Sequence, residues 1–196
     1  MLSPDEIRAR LAGVRAEVGP SVTIVAATKY VPLADMAVLV EAGVTVVGEN
    51  RAQDLEAKHA EYGDAFRWHF IGRLQSNKAK VINRICELVH SLDTDSAARR
   101  LEIPALVQVN LSGEESKGGV PPAEIGAYLR YDVRGLSTMP PAAPAPEASR
   151  PWFASLRELA AEHGLTELSM GTTQDYAIAS EEGATHIRVG SVLFGV

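Results

Sequence analysis

The 196-residue chain has a single cysteine, Cys86, which excludes an internal disulfide and any metal cluster built on several thiolates. Cys86 lies in the apolar stretch Ile82-Asn83-Arg84-Ile85-Cys86-Glu87-Leu88, where it reads as a small buried hydrophobe in a protein of the reducing cytoplasm. Positive charge is also scarce. Nineteen Lys and Arg stand against 25 Asp and Glu, a formal net charge of −6. Such a chain has no general attraction for nucleic acid or an anionic membrane, so an anionic ligand needs a local site. No apolar run approaches the roughly 20 residues of a membrane span. The opening Met1-Leu2-Ser3-Pro4-Asp5-Glu6 reads as a helix start rather than a signal peptide. What remains is ordinary for one globular core, with 46% apolar and 22% charged residues, and we read residues 1–196 as one domain.

Ser3 is placed to cap a first helix, with Pro4 at its first position, Glu6 completing a capping box and Ile7, Leu11, Val14 and Val18 as its apolar stripe. A β-branched run, residues 21–30, follows Gly19-Pro20. Leu33, Met36, Ala37 and Val40 then form an amphipathic helix that stops at Gly43. The alternation continues. Strands are expected at 44–50, 67–72, 87–92, 105–110, 133–139, 167–171 and 186–190. Helices are expected near 51–62 and 77–85, on the face Trp152, Leu156, Leu159, Ala160 and His163, and near 173–182. The Pro/Ala-rich segment Pro140–Pro151 reads as a loop.

Eight strands alternating with helices predict a single-domain α/β fold, a TIM-type (β/α)8 barrel, with a doubly wound open sheet as the alternative. The crossovers after strands 4 and 5, following Asp93 and near Pro121–Tyr131, are short. One flank of the barrel is therefore expected to be thinly covered, favouring a partner or local disorder there.

Barrel ligands bind at the carboxyl ends of the strands. Lys29 ends the first strand, sharing a face with Ala27, Val25 and Thr23. Burial there would lower its pKa and make it a nucleophile; otherwise it is a lysine leaving the core. Gly171-Thr172-Thr173 runs from the seventh strand into a helix, where N–H groups and hydroxyls suit a phosphate or form an ordinary cap. Arg188 and Gly190 end the eighth strand nearby. An amine facing a phosphate cup across a barrel mouth matches pyridoxal 5′-phosphate chemistry.

Several stretches carry a closer resemblance: Val25-Ala26-Ala27-Thr28-Lys29, Gly48-Glu49-Asn50-Arg51, Trp68 through Lys78, Gln108 through Gly119, Gly135-Leu136-Ser137-Thr138-Met139-Pro140, Leu168-Ser169-Met170-Gly171, and Glu181 through Gly190. In these the chain resembles the YggS/PROSC family of pyridoxal phosphate homeostasis proteins. The resemblance implies a barrel like the N-terminal domain of alanine racemase and a cofactor held as a Schiff base on Lys29, without established turnover. The cofactor residues it implies are Lys29, Asn50, Met139, Ser169, Gly171, Thr172, Thr173, Arg188 and Gly190. Thr173 stands where the family has a phosphate-binding serine, Thr172 replaces a methionine, and Arg188 faces either the pyridine nitrogen or the phosphate. His69 reads as a satisfied structural histidine rather than a base. Lys117, in a polar Gly-flanked loop read as mobile and exposed, is a candidate for cofactor exchange.

Three functions fit these residues. The first is a carrier that buffers pyridoxal phosphate and delivers it to apo-enzymes, as a monomer or weak dimer with no nucleic-acid or membrane partner. The second is a fold-type III racemase or decarboxylase, which carries a further β-domain for which little chain follows the eighth strand. The third is a cofactor-free Schiff-base aldolase acting on a sugar phosphate.

Overall fold

The computed structural model describes residues 2–114, 117–142 and 144–195. Eight parallel strands close into a barrel in chain order. They are β1 (Thr23–Ala27), β2 (Val46–Glu49), β3 (Arg67–Phe70), β4 (Leu88–Leu92), β5 (Ala105–Gln108), β6 (Val133–Ser137), β7 (Glu167–Ser169) and β8 (His186–Val189). β1 pairs with β8 through Thr23–His186 to Ala26–Val189, which seals the sheet. The doubly wound alternative is thereby excluded. No helix among the described residues is long and apolar enough to cross a membrane.

Among the described residues eight α-helices follow the strands or precede them: α1 (Pro4–Val18), α2 (Met36–Glu41), α3 (Ala52–Tyr62), α4 (Ala79–Ile85), α5 (Asp95–Ala98), α6 (Arg150–Glu162), α7 (Tyr176–Glu181) and α8 (Ser191–Phe194). Ser3 caps α1 with both halves of the expected box, its hydroxyl accepting from the Glu6 N–H while Glu6 accepts from the Ser3 N–H. Outward residues of the strands, among them Ile24, Val47, Trp68, Phe70, Val89, Val107, Leu136 and Ile187, meet Ile7, Leu39, Leu55, Ile82, Phe153 and Leu156 in one apolar layer between sheet and helices. Each fully buried side chain of this size contributes about 1.5–3 kcal/mol.

Four expectations change. Every strand but β4, which ends at Leu92 as expected, ends one to three residues before its pattern does, because the apolar alternation runs on into the rim loops. The inner face of α6 is Phe153–Leu156–Ala160, with Trp152 and Leu159 only half-buried. The helix expected from 173 begins at Tyr176, after a turn. The thinly covered flank is absent: β4 is buried throughout, and β5 except at Gln108. There α5 and a 3₁₀ segment, Pro122–Tyr128, bring Ala97, Ala98, Ile125 and Tyr128 into the core. Asp95 ties these crossovers together by accepting from the Tyr131 hydroxyl at 2.6 Å, from Arg99 at 2.6 Å and from Arg130.

Candidate functional site

The carboxyl ends of β1, β2, β3, β7 and β8 surround a cleft of about 480 Å³. Lys29, Tyr30, Asn50, Met139, Thr172, Thr173, Gln174, Arg188 and Gly190 line it. Lys29 does not end β1. It follows Thr28, whose N–H donates to the Gly48 carbonyl and whose own carbonyl accepts from the Val31 N–H, so the chain turns at this point. Lys29 is exposed, with its ammonium group 4.7 Å from the centre of the Tyr30 ring. The condition of a lysine buried on both faces is not met.

Below the turn lies a buried ion pair. Lys58 reaches in from α3 to Glu49 Oε1 at 2.5 Å, and the Thr28 hydroxyl donates to the same oxygen at 2.5 Å. Glu49 is fully buried, and its Oε2 has no partner among the described residues. Asn50 follows on the rim, wedged by Gly72: a Cβ at Gly72 would lie 2.1 Å from the Asn50 carbonyl oxygen. Only glycine permits that approach.

The opposite wall is the turn after β7. Gly171 has φ of 89°, and a Cβ there would sit 2.5 Å from Cβ of Ala179. The two threonines that follow have different partners. The Thr172 N–H and hydroxyl both donate to Asp175 Oδ1, at 2.7 and 3.1 Å, and Asp175 Oδ2 accepts from Ser149. Thr172 is thus committed to the turn, and its hydroxyl is not the free donor the sequence suggested. Thr173 faces β8, its hydroxyl accepting from the N–H groups of Gly190 at 3.2 Å and Val192 at 3.4 Å. Among the described residues, the N–H groups of Thr173, Gln174 and Ser191 meet no acceptor. This cluster of donors is suited to an anion.

Arg188 crosses the barrel floor beneath the cleft. Its Nη1 donates to Ser169 Oγ at 2.7 Å and to the Ser169 carbonyl at 3.2 Å. Its Nη2 donates to the Thr138 carbonyl at 2.8 Å and to Met139 Sδ at 3.0 Å. Only Nε–H lacks an acceptor among the described residues. Ser169 is fully buried under the guanidinium rather than in the cleft wall. Below it the barrel holds His90, His69 and His186, where apolar branched side chains are usual. Burial, reinforced by the neighbouring positive and imidazole groups, pushes His69 down to about 3, His186 down to about 4 and His90 well below the usual imidazole range.

Lys117 lies apart, half-buried rather than exposed, in a second cleft with Met139, Pro140, Thr172 and Asp175. Glu115 and Ser116 of its loop lie outside the described residues. The two clefts share Met139, Thr172 and Gln174. Cys86 is buried as expected, and burial pushes its thiol up to about 12, which makes it inert. Sequence reasoning missed Lys58, Asp175, His90 and His186. Only Asp175 had a signal, since Thr172-x-x-Asp175 has the spacing of a capping box.

No protein-family model matches the chain. A pyridoxal phosphate homeostasis protein of Aquifex aeolicus is 39% identical over 195 residues, covering 88% of this chain and 86% of its own. The structure of PipY from Synechococcus elongatus, solved with PLP bound, is 36% identical with a TM-score of 0.87, covering 96% of this chain and all of PipY. A lysine/ornithine decarboxylase of Vibrio vulnificus, 16% identical with a TM-score of 0.75 over 98% of this chain and 62% of its own, shares the fold.

Proposed function

The chain belongs to the pyridoxal phosphate homeostasis protein family, and on that footing we propose that it binds pyridoxal 5′-phosphate reversibly at Lys29, limits the free aldehyde and hands it to apo-enzymes. One observation carries this reading: a single cleft has the Lys29 amine on one side and an anion-binding cluster of backbone donors on the other.

The residues present fit the cofactor. Thr173, Gln174 and Ser191 offer N–H groups to a phosphate, with the Thr173 hydroxyl beside them. Arg188 has one N–H to give. A phosphate is best gripped by two parallel donors, whereas a ring nitrogen takes one, so we assign Arg188 to the pyridine nitrogen. A charged arginine there would keep that nitrogen unprotonated, which would weaken the ring as an electron sink and suit storage better than catalysis. Asn50 and Met139, on the rim of the same cleft, would contact the ring. Gly171 shapes the turn, Ser169 holds Arg188, and Thr172 with Asp175 braces the anion cluster. The cofactor supplies an aldehyde that condenses with an amine with loss of water.

The exposure of Lys29 gains meaning in this reading. An amine on an open rim is within reach of water and of an exchanging amine, which reversible binding would need. A buried amine would favour retention. The lone reduced thiol is in keeping with a cytoplasmic site of action.

The test is borohydride reduction of the protein incubated with pyridoxal phosphate, followed by mass spectrometry. A phosphopyridoxyl group on the Lys29 peptide, lost in Lys29→Ala, is the expected result. Its absence overturns the proposal and favours an aldolase. Racemisation or decarboxylation of amino acids at a useful rate by the loaded protein would replace the carrier with an enzyme.

A further inference from the structure

The three histidines inside the barrel are not used by the carrier chemistry, yet they form a polar column that ends on Arg188. His69 Nδ1 lies 2.9 Å from His90 Nε2, and His90 Nδ1 lies 2.7 Å from Ser169 Oγ. Ser169 Oγ accepts from Arg188 Nη1 at 2.7 Å. His186 stands edge-on to His90 with ring centres 5.3 Å apart, its Nδ1 2.8 Å from the Thr185 hydroxyl.

The direction of each hydrogen bond follows from the chemistry of its members. Arginine only donates, so Ser169 Oγ is an acceptor toward Arg188. The one proton of Ser169 has no acceptor among the described residues except His90 Nδ1. A neutral imidazole that accepts at Nδ1 carries its proton at Nε2, and that proton goes to His69 Nδ1. His69 in turn carries its proton at Nε2; with Arg67, Glu87, Arg134, Glu167 and His186 it lines a small cavity at the amino-terminal mouth. The column therefore has one polarity. It runs from Arg188 through Ser169 and His90 to His69, and burial keeps all the imidazoles neutral.

We propose that His90 is a positioning residue for Arg188: by taking the Ser169 proton it turns a serine lone pair toward the guanidinium and so fixes the single N–H that Arg188 offers to the cleft. His90 touches nothing in the cleft and acts only through Ser169. The proposal rests on the carrier reading for its consequence, because the group that would feel a displaced Arg188 is the pyridine ring. Without His90 the serine hydroxyl is free to rotate, and one of the four acceptors holding Arg188 loses its orientation.

The experiment titrates wild type, His90→Phe and His90→Asn with pyridoxal phosphate by absorbance. The side-chain oxygen of Asn stands near the place of Nδ1 and restores an acceptor. His90→Phe should bind at least about tenfold more weakly, with a displaced absorption band, while His90→Asn stays within about threefold of wild type. Should His90→Phe not fold, Ser169→Ala is read by the same titration. In the cofactor-free wild type, histidine-selective ¹⁵N NMR should show His90 with Nδ1 bare and Nε2 protonated.

Equal affinity and band in His90→Phe, or His90→Asn as impaired as His90→Phe, or a proton on Nδ1, overturns the proposal. Trapping on Lys29 of the wild type separates the two failures. If wild type forms the adduct and His90→Phe is unchanged, only the positioning role falls. If wild type forms none, the carrier reading falls, and the NMR tautomer still decides the polarity of the column.

Discussion

Lys58 Nζ lies 2.8 Å from the carbonyl oxygen of Thr28, so a lysine of α3 holds the backbone immediately before Lys29. The same ammonium neutralises Glu49, the last residue of β2. One buried ion pair thus braces the turn that presents the amine.

Removing one partner of that pair leaves the other charged and buried. Lys58→Met should cost about 3–5 kcal/mol in urea unfolding, because Glu49 already has one oxygen without a partner among the described residues. Lys58→Met combined with Glu49→Leu should recover much of the loss. A single variant as stable as wild type would show that the pair does not matter to folding.

Gly171→Ala puts a side chain at φ of 89° and against Ala179. The strain should cost about 1–3 kcal/mol in thermal or urea unfolding and weaken pyridoxal phosphate binding by disturbing the donors of Thr173 and Gln174. Gly164→Ala, at φ of 67° but with nothing near its Cβ, is the control: it should lose stability without losing affinity.

The histidines predict the acid side of the stability profile. In the unfolded chain an imidazole takes a proton near 6.5, whereas folded His186 waits until about 4 and His69 until about 3. Between these values the unfolded state binds more protons, so stability falls as the pH is lowered from about 6.5 toward 4. Urea midpoints should decline across that range and go on declining below it, where His69 and His90 are still unprotonated in the folded state. His186→Asn should shallow the slope; an unchanged slope would remove the histidines as its cause.

Lys117 makes a kinetic prediction. It lines the cleft that shares Met139, Thr172 and Gln174 with the Lys29 cleft, and the role proposed for it is imine exchange with the departing aldehyde. Lys117→Ala should leave trapping on Lys29 intact and slow the activation of an apo-enzyme by the loaded protein severalfold. An unchanged transfer rate would retire the exchange role.

All eight strands were legible in the amino-acid pattern, because β-branched runs bounded by glycine, proline and acidic turns have few other readings. Their ends, β4 excepted, were not. At Thr28–Lys29, apolar alternation continues past the last ladder pair, and only the hydrogen bonds of Thr28 show where the chain leaves the sheet. That overrun is why Lys29 was expected to end β1 and instead stands in the turn after it. Local spacing could have revealed the Thr172–Asp175 bond. Nothing local could have revealed His69, His90 and His186 as neighbours, since strands far apart in sequence bring them within 6 Å only when the sheet curls shut.

The pairing of β1 with β8 has a consequence for how other proteins can approach. A sheet without margins has no spare main-chain groups for an incoming segment to zip onto, so strand addition, a common route to both recognition and fibril growth, is closed. Any protein that docks here does so by some means other than extending the sheet.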